Sequence, residues 1–235
     1  MKRLLCLSAC LAAAGGWALV AASAFAAPVY VDASLTNTQF APSAGGGALT
    51  TNSTDTADGI WRLRTSLGID PAATAIPSGT ITLTASNNVF ESTGNSNPSD
   101  NVPRVVTTIS GLASNTYNVW VLYWIDQAGS PWRIRAGLTD SVDPLPLFIG
   151  GGAGTPPTNE PAGAVDSANR VLWKASLGQV TGTSINVYVE DAPATTNNER
   201  TWYDGVAYEA VPEPSALALA MAGAAGVLGL RRRRR

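Results

Sequence analysis

The sequence contains no histidine, and both of its cysteines, Cys6 and Cys10, fall within the first ten residues. Without histidine, the Ser-His-Asp and Cys-His forms of nucleophilic catalysis are excluded. With no cysteine beyond residue 10, so are the usual zinc sites, which are built on His and Cys. The chemistry that remains is that of carboxylates, or of a hard cation such as calcium held by oxygen. No disulfide can form after residue 10, so the rest of the chain must rely on its core for stability. Basic residues are scarce too. Of 15 Lys and Arg, Lys2, Arg3 and the five arginines 231–235 stand at the two ends, which leaves eight against 16 or 17 acidic residues. A body that is negative by about eight or nine charges argues against nucleic acid, whose phosphates need clustered Lys and Arg. It argues equally against adsorption to anionic lipid.

The two ends read as addresses rather than as fold. Lys2 and Arg3 open the chain, residues 4–20 are apolar and small, and Ala24-Phe25-Ala26 is an A-x-A cleavage site. This is the pattern of a secretory signal peptide over 1–26, with a helical apolar region and a mature chain beginning at Ala27. Leu7-Ser8-Ala9-Cys10 resembles a lipoprotein cleavage box, but too few apolar residues precede it to make the required hydrophobic region.

At the other end, Pro212-Glu213-Pro214 is rigid and extended, because neither proline has a backbone donor. Residues 215–230 carry no charge. As a helix they span about 24 Å at ~1.5 Å per residue, a little short of a ~30 Å hydrocarbon core, and Arg231 can snorkel to narrow the gap. The terminal arginines would stay on the cytoplasmic side, placing everything before Pro212 outside. Triplet, apolar run and arginine cluster in this order resemble the PEP-CTERM sorting signal of Gram-negative bacteria that make exopolysaccharide. The resemblance covers 211–235. It implies cutting near Pro212-Glu213-Pro214 by an exosortase-type membrane transpeptidase, a transient inner-membrane anchor through residues 215–230, and a final place at the cell surface or in the extracellular matrix. It says nothing of an activity.

Between the ends, 27–210 reads as one body with no dividing linker. Helix signals are nearly missing, and short β-rich runs alternate with clusters of Gly, Ser, Thr, Asn and Pro, the pattern of an antiparallel β-sandwich. Strands are expected over 29–33, 60–67, 104–109, 116–125, 132–138, 170–177, 184–190 and 201–209, with a short edge at 147–149. A hairpin is expected between 80–84 and 88–91. The run YNVWVLYWI after Thr116 is apolar on both faces, so it should be a central strand covered on both sides. Long loops are expected over 41–59, 92–103 and 139–169, with GGGAGTPPTNEP at 150–161 mobile. The segments TTISGLASNTYNVWVLYW and TWYDGVAYE give the body a loose resemblance to jelly-roll or galactose-binding-like sandwiches.

Candidate site residues follow from parity and position. Trp61, Trp132 and Trp173 share parity with aliphatic neighbours and read as core. Trp202 and Tyr203 adjoin the polar loop 195–200, so one of them is the best exposed aromatic for stacking on a sugar. Arg62, Arg64, Arg133 and Arg135 alternate with apolar residues on two similar strands. Were those strands neighbours, four guanidinium groups would share one face and could grip an acidic polysaccharide; the alternative is a solvated face paired with nearby acids. Asp204 shares a face with Trp202, Val206 and Tyr208, and a buried carboxylate needs a donor or a cation. Asp32 and Asp204 could meet where the first and last strands pair and hold a structural calcium, as in some jelly-roll carbohydrate-binding modules. The simpler alternative is that Asp204-Gly205 makes a turn or bulge.

These features point to an exported, non-catalytic protein with a binding or matrix role, for which an extracellular polysaccharide is one candidate ligand. Two alternatives stand beside it. One is a glycan-cleaving enzyme using two carboxylates from Glu91, Asp126, Glu190 and Asp191. The other is a purely structural surface protein without a ligand.

Overall fold

The apolar run after Thr116 forms a strand whose residues Val119 to Trp124 are all buried, and the rest of the molecule is layered around it. The computed structural model describes residues 28–50, 52–54, 60–65, 73–76, 79–82, 88–92, 102–126, 133–149, 159–165, 170–191 and 201–212. The signal peptide, its cleavage residues Ala24 and Ala26, Glu213, Pro214, the apolar tail, Trp132 and the loop 195–200 lie outside them. Among the described residues, no helix is long and apolar enough to cross a membrane.

Among the described residues fifteen strands are present: β1 (Val29–Asp32), β2 (Thr38–Phe40), β3 (Asn52–Thr54), β4 (Ile60–Thr65), β5 (Ala73–Ile76), β6 (Gly79–Thr82), β7 (Asn88–Ser92), β8 (Val105–Ile109), β9 (Asn115–Asp126), β10 (Arg133–Gly137), β11 (Leu147–Ile149), β12 (Asn159–Val165), β13 (Arg170–Gly182), β14 (Ile185–Glu190) and β15 (Trp202–Ala210). One sheet runs β12-β13-β9-β15-β7-β4-β3, with β1 also paired to β15; the second runs β11-β10-β14-β8-β2; β5 and β6 pair on their own. The body is all-β and antiparallel, and its residues Phe25–Val211 form one compact unit.

The two main sheets pack face to face. Their shared core takes Trp61, Phe90, Val119, Val121, Tyr123 and Tyr203 from the first, and Val105, Ile134, Ala136, Val187 and Val189 from the second. Removing each such large side chain from water contributes about 1.5–3 kcal/mol. One polar bridge crosses this core, where the Tyr203 hydroxyl donates to Thr107 Oγ1 at 2.6 Å. The second sheet shows the alternation of a half-buried sheet, with β14 reading buried and intermediate in strict turn. The centre of the first sheet does not alternate: Trp120, Leu122 and Trp124 on the outer face of β9 are as buried as the residues between them.

Four expectations are corrected by this topology. Among the described residues no hairpin joins 80–82 to 88–91: β6 pairs β5, with Ile76 opposite Gly79, while β7 pairs β4 and β15. Only Pro77 and Ser78 separate β5 from β6, a shorter closure than the 85–87 connection, and short connections pair first. The segment 139–169 contains β12 as well as the β11 edge, so residues 159–161 are strand rather than mobile loop. The segment 41–59 contains β3, over Asn52–Thr54. And β13 continues to Gly182, five residues past its expected end, because a register shift between Ser176 and Gly178 lets it stay paired with β9.

Candidate functional site

The first and last strands meet as their sequences suggested, and what they bring together is a carboxylate pair. Asp32 lies opposite Gly205 in the β1–β15 ladder. A register shift between Tyr203 and Gly205 makes Asp204 a bulge residue on the outer side of the sheet. Gly205 is required there, since a Cβ would collide with the carbonyl oxygen of Val31 and press on the Tyr30 ring. Tyr30 stands two residues before Asp32, hence on the same face. Its hydroxyl lies 2.9 Å from Asp204 Oδ2 and 3.1 Å from Asp32 Oδ1.

Neutral donors fill most of the remaining positions. Trp124 Nε1 donates to Asp204 Oδ1 at 3.0 Å, and the Asn88 backbone N–H and side-chain amide donate to Asp32, the latter at 2.6 Å. The Tyr30 hydroxyl has one proton and two carboxylate neighbours, so it can donate to one of them at a time. Burial, partly offset by the Asn88 donors, pushes Asp32 up to about 6. Below that pH Asp32 carries a proton of its own and can donate to the Tyr30 oxygen. Burial and the two carboxylates hold the Tyr30 hydroxyl well above its ordinary range.

This donor set does not fit calcium. The ion takes six to eight oxygen ligands, whereas these carboxylates face N–H groups that cannot ligate a cation and present their positive ends to the same oxygens. Among the described residues no third acidic side chain joins the pair. The bulge reading of Asp204-Gly205 accounts for the geometry, and the calcium reading does not.

The other candidates are dispersed. Trp202 and Tyr203 are both buried, at 5% and 0% exposure, so neither ring is an exposed platform. Tyr203 points into the core between the sheets. Trp202 lies under the Arg64 guanidinium, 5.8 Å from its ring centroid, and Arg64 also pairs with the buried Glu91. Adjacency to a polar loop was a poor guide to exposure, because both faces of β15 are covered. Trp61 is fully buried, with its Nε1 donating to Pro103 O at 2.7 Å, and Trp173 packs against the core.

The four arginines share no face. Arg62 and Arg64 sit on β4 in the first sheet, Arg133 and Arg135 on β10 in the second. Similar W-R-x-R strands serve two different sheets because alternation fixes which side chains point inward, not which strand pairs with which. Arg135 donates to Leu145 O at 3.0 Å.

Of the strand-end carboxylates, Glu91, Glu190 and Asp191 are held in structural bonds, and the Asp126 side chain lies outside the described residues. Glu91 pairs with Arg64, and Asp191 accepts from Ser92 and Thr201 at 3.1 and 2.7 Å. Glu190 belongs to a cluster that the sequence did not reveal, centred on Arg104, whose exposure is 7%. Arg104 Nη2 donates to Glu190 Oε2 at 2.7 Å and its Nη1 to Asp140 O and Oδ1 at 2.7 and 3.1 Å. Glu190 Oε1 accepts from Leu145 N, and Asp140 accepts from Ser43. Burial opposes ionisation of Asp140, but the Ser43 donors and the Arg104 charge outweigh it and hold the carboxyl below its ordinary value.

No carboxylate lines either of two open clefts found among the described residues. One, of about 280 Å³, is mostly apolar, between Leu138, Leu145, Phe148 and Leu177. The other, of about 450 Å³, is lined by the hydroxyl and amide groups of Thr36, Asn37, Thr38, Gln39, Thr108 and Ser110 together with Leu35 and Ala48, and carries no charge. Sequence reasoning passed over it because these residues belong to a turn and to two strands more than 65 positions apart.

No curated protein matches the chain. Its C-terminal residues 210–234, which begin where β15 ends, match the model of the PEP-CTERM protein-sorting motif.

Proposed function

We propose that the body is a non-catalytic extracellular binding or matrix protein whose uncharged cleft takes a neutral polysaccharide. The PEP-CTERM motif implies an exported protein, transiently held at the membrane and processed by exosortase, a membrane enzyme. One observation carries the binding reading: the 450 Å³ cleft offers hydroxyl and amide groups and no charge, the complement of neutral sugar hydroxyls. The alternative of a two-carboxylate glycosidase is disfavoured because Glu91, Glu190 and Asp191 are committed to structural partners.

The test is a polysaccharide pull-down and glycan array with the processed body, in calcium and in chelator. Retention on a neutral polysaccharide, lost on Gln39→Ala and unaffected by chelator, supports the proposal. Retention that ignores Gln39→Ala moves the site elsewhere. If no polysaccharide is retained, a structural surface protein without a ligand becomes the better account.

A further inference from the structure

In the β1–β15 ladder Val29 lies opposite Tyr208, so the start of β1 and the end of β15 lie at the same end of the sandwich. Two turns flank this exit. Ala210 is opposite Tyr117 near the start of β9, and Asn115 is opposite Gly182 at the end of β13. The turns are themselves joined, with Leu112 N donating to Thr183 O at 3.0 Å.

There is no spacer between fold and cleavage motif. Val211 N still donates to Thr116 O at 2.8 Å, and the Pro-Glu-Pro triplet starts at the next residue. Two residues of extended chain reach about 7 Å at ~3.3–3.6 Å each. An enzyme that cuts at the triplet therefore cannot approach its peptide bond without touching the end of the sandwich. That end is built for close approach. Residues 110–116 and 181–184 carry no charged side chain, and Ser110, Gly111, Ala113, Ser114, Thr183 and Ser184 are exposed and small. Glu209, the acid of β15 closest to the exit among the described residues, is buried at 5% exposure with Asn118 donating to it. The Arg104–Glu190 cluster stands at the other end of β8 and β14 from these turns.

We propose that this uncharged end, formed by the 110–116 and 181–184 turns beside the β1–β15 exit, is the docking surface of the membrane-embedded peptidase that removes the tail. The proposal rests on the reading that the tail is processed, and the experiment separates the two. The full chain is expressed with an exosortase-type peptidase and tail removal is followed by pulse-chase. Two changes are compared singly and together: the double substitution Ser114→Arg/Thr183→Arg at exposed turn positions, and an eight-residue Gly/Ser spacer between Val211 and Pro212.

The double substitution is expected to slow removal by about tenfold, the scale on which misplaced charges disturb a contact surface. The spacer restores the rate by lifting the triplet away from the turns. An unchanged rate in the double variant overturns the docking surface, and so does a slow rate that the spacer fails to rescue. Failure of the unmodified chain to lose its tail, or loss that continues in Glu213→Ala, overturns the processing reading instead.

Discussion

Two of the buried polar clusters described in this body, around Arg104 and around Tyr30, balance their carboxylates in opposite ways. Around Arg104 a cation is shared among Glu190, Asp140 and Asp143, and with the Ser43 donors it holds the Asp140 carboxyl below its ordinary value, so ionisation of Asp140 favours the fold. Around Tyr30 the donors described for Asp32 and Asp204 are neutral: a phenol, an indole, an amide and a backbone N–H. There the favoured state keeps a proton on Asp32. Acidic side chains in one small fold are thus accommodated by charge in one place and by protonation in another, and acid should act on the two clusters with opposite sign.

Removing the cation should do the most damage. Arg104→Met leaves Glu190 and Asp140 without their countercharge, a change that costs about 3–5 kcal/mol at buried pairs, read as a lower urea midpoint at unchanged m-value. Arg104→Lys should recover little of it, because one ammonium cannot reproduce donors aimed at two carboxylates. Equal stability of the Met variant and the parent would erase the distinction between the clusters.

Next is the neutral cluster. Asp204→Ala leaves the buried Trp124 indole N–H without its acceptor and is expected to cost about 2–3 kcal/mol, with a blue-shifted tryptophan fluorescence. The pH dependence is weaker. Asp32 is raised from 3.8 to about 6, so its contribution is fully present below about pH 4 and is lost as pH rises through about 6. Discounted for partial exposure, the loss is about 1–2 kcal/mol, and Asp32→Asn should flatten it. Asp140 is shifted the other way, so its contribution is lost as pH falls below the ordinary aspartate range. A urea midpoint that rises steadily from pH 4 to 7 would contradict the assignment for Asp32. Calcium should matter least. A site half-occupied or better would stabilise by RT ln(1 + [L]/Kd), whereas the N–H donors around Asp32 and Asp204 predict no shift in Tm between millimolar calcium and chelator.

What was legible in the sequence follows from the range of the physics involved. The two-sided burial of β9 was readable because an unbroken apolar run of that length fits a strand covered on both faces and little else. The approach of Asp32 to Asp204 was readable from first and last strands that both carry the odd acid. Tyr30 could have been added by counting two residues back along β1. Arg104 could not, since its partners lie 36 to 86 positions away and nothing local distinguishes it from a solvated arginine. The burial of Trp202 escaped for the same reason: a strand's own alternation tells which residues share a face, but not whether a second layer covers it.

The position of β15 sets a schedule for the whole molecule. It lies between β9 and β7, and it alone joins the β12-β13-β9 half of the large sheet to the β7-β4-β3 half, yet it is the last strand described in the chain. Until residues 202–210 emerge, β9 and β7 each present an unpaired edge. Closure depends on contacts remote in sequence, which are slow to form, and it is completed by the stretch that runs directly into the sorting motif. Folding and delivery would thereby finish together, and a chain cut short before residue 201 would be left with two exposed edges and a tendency to aggregate.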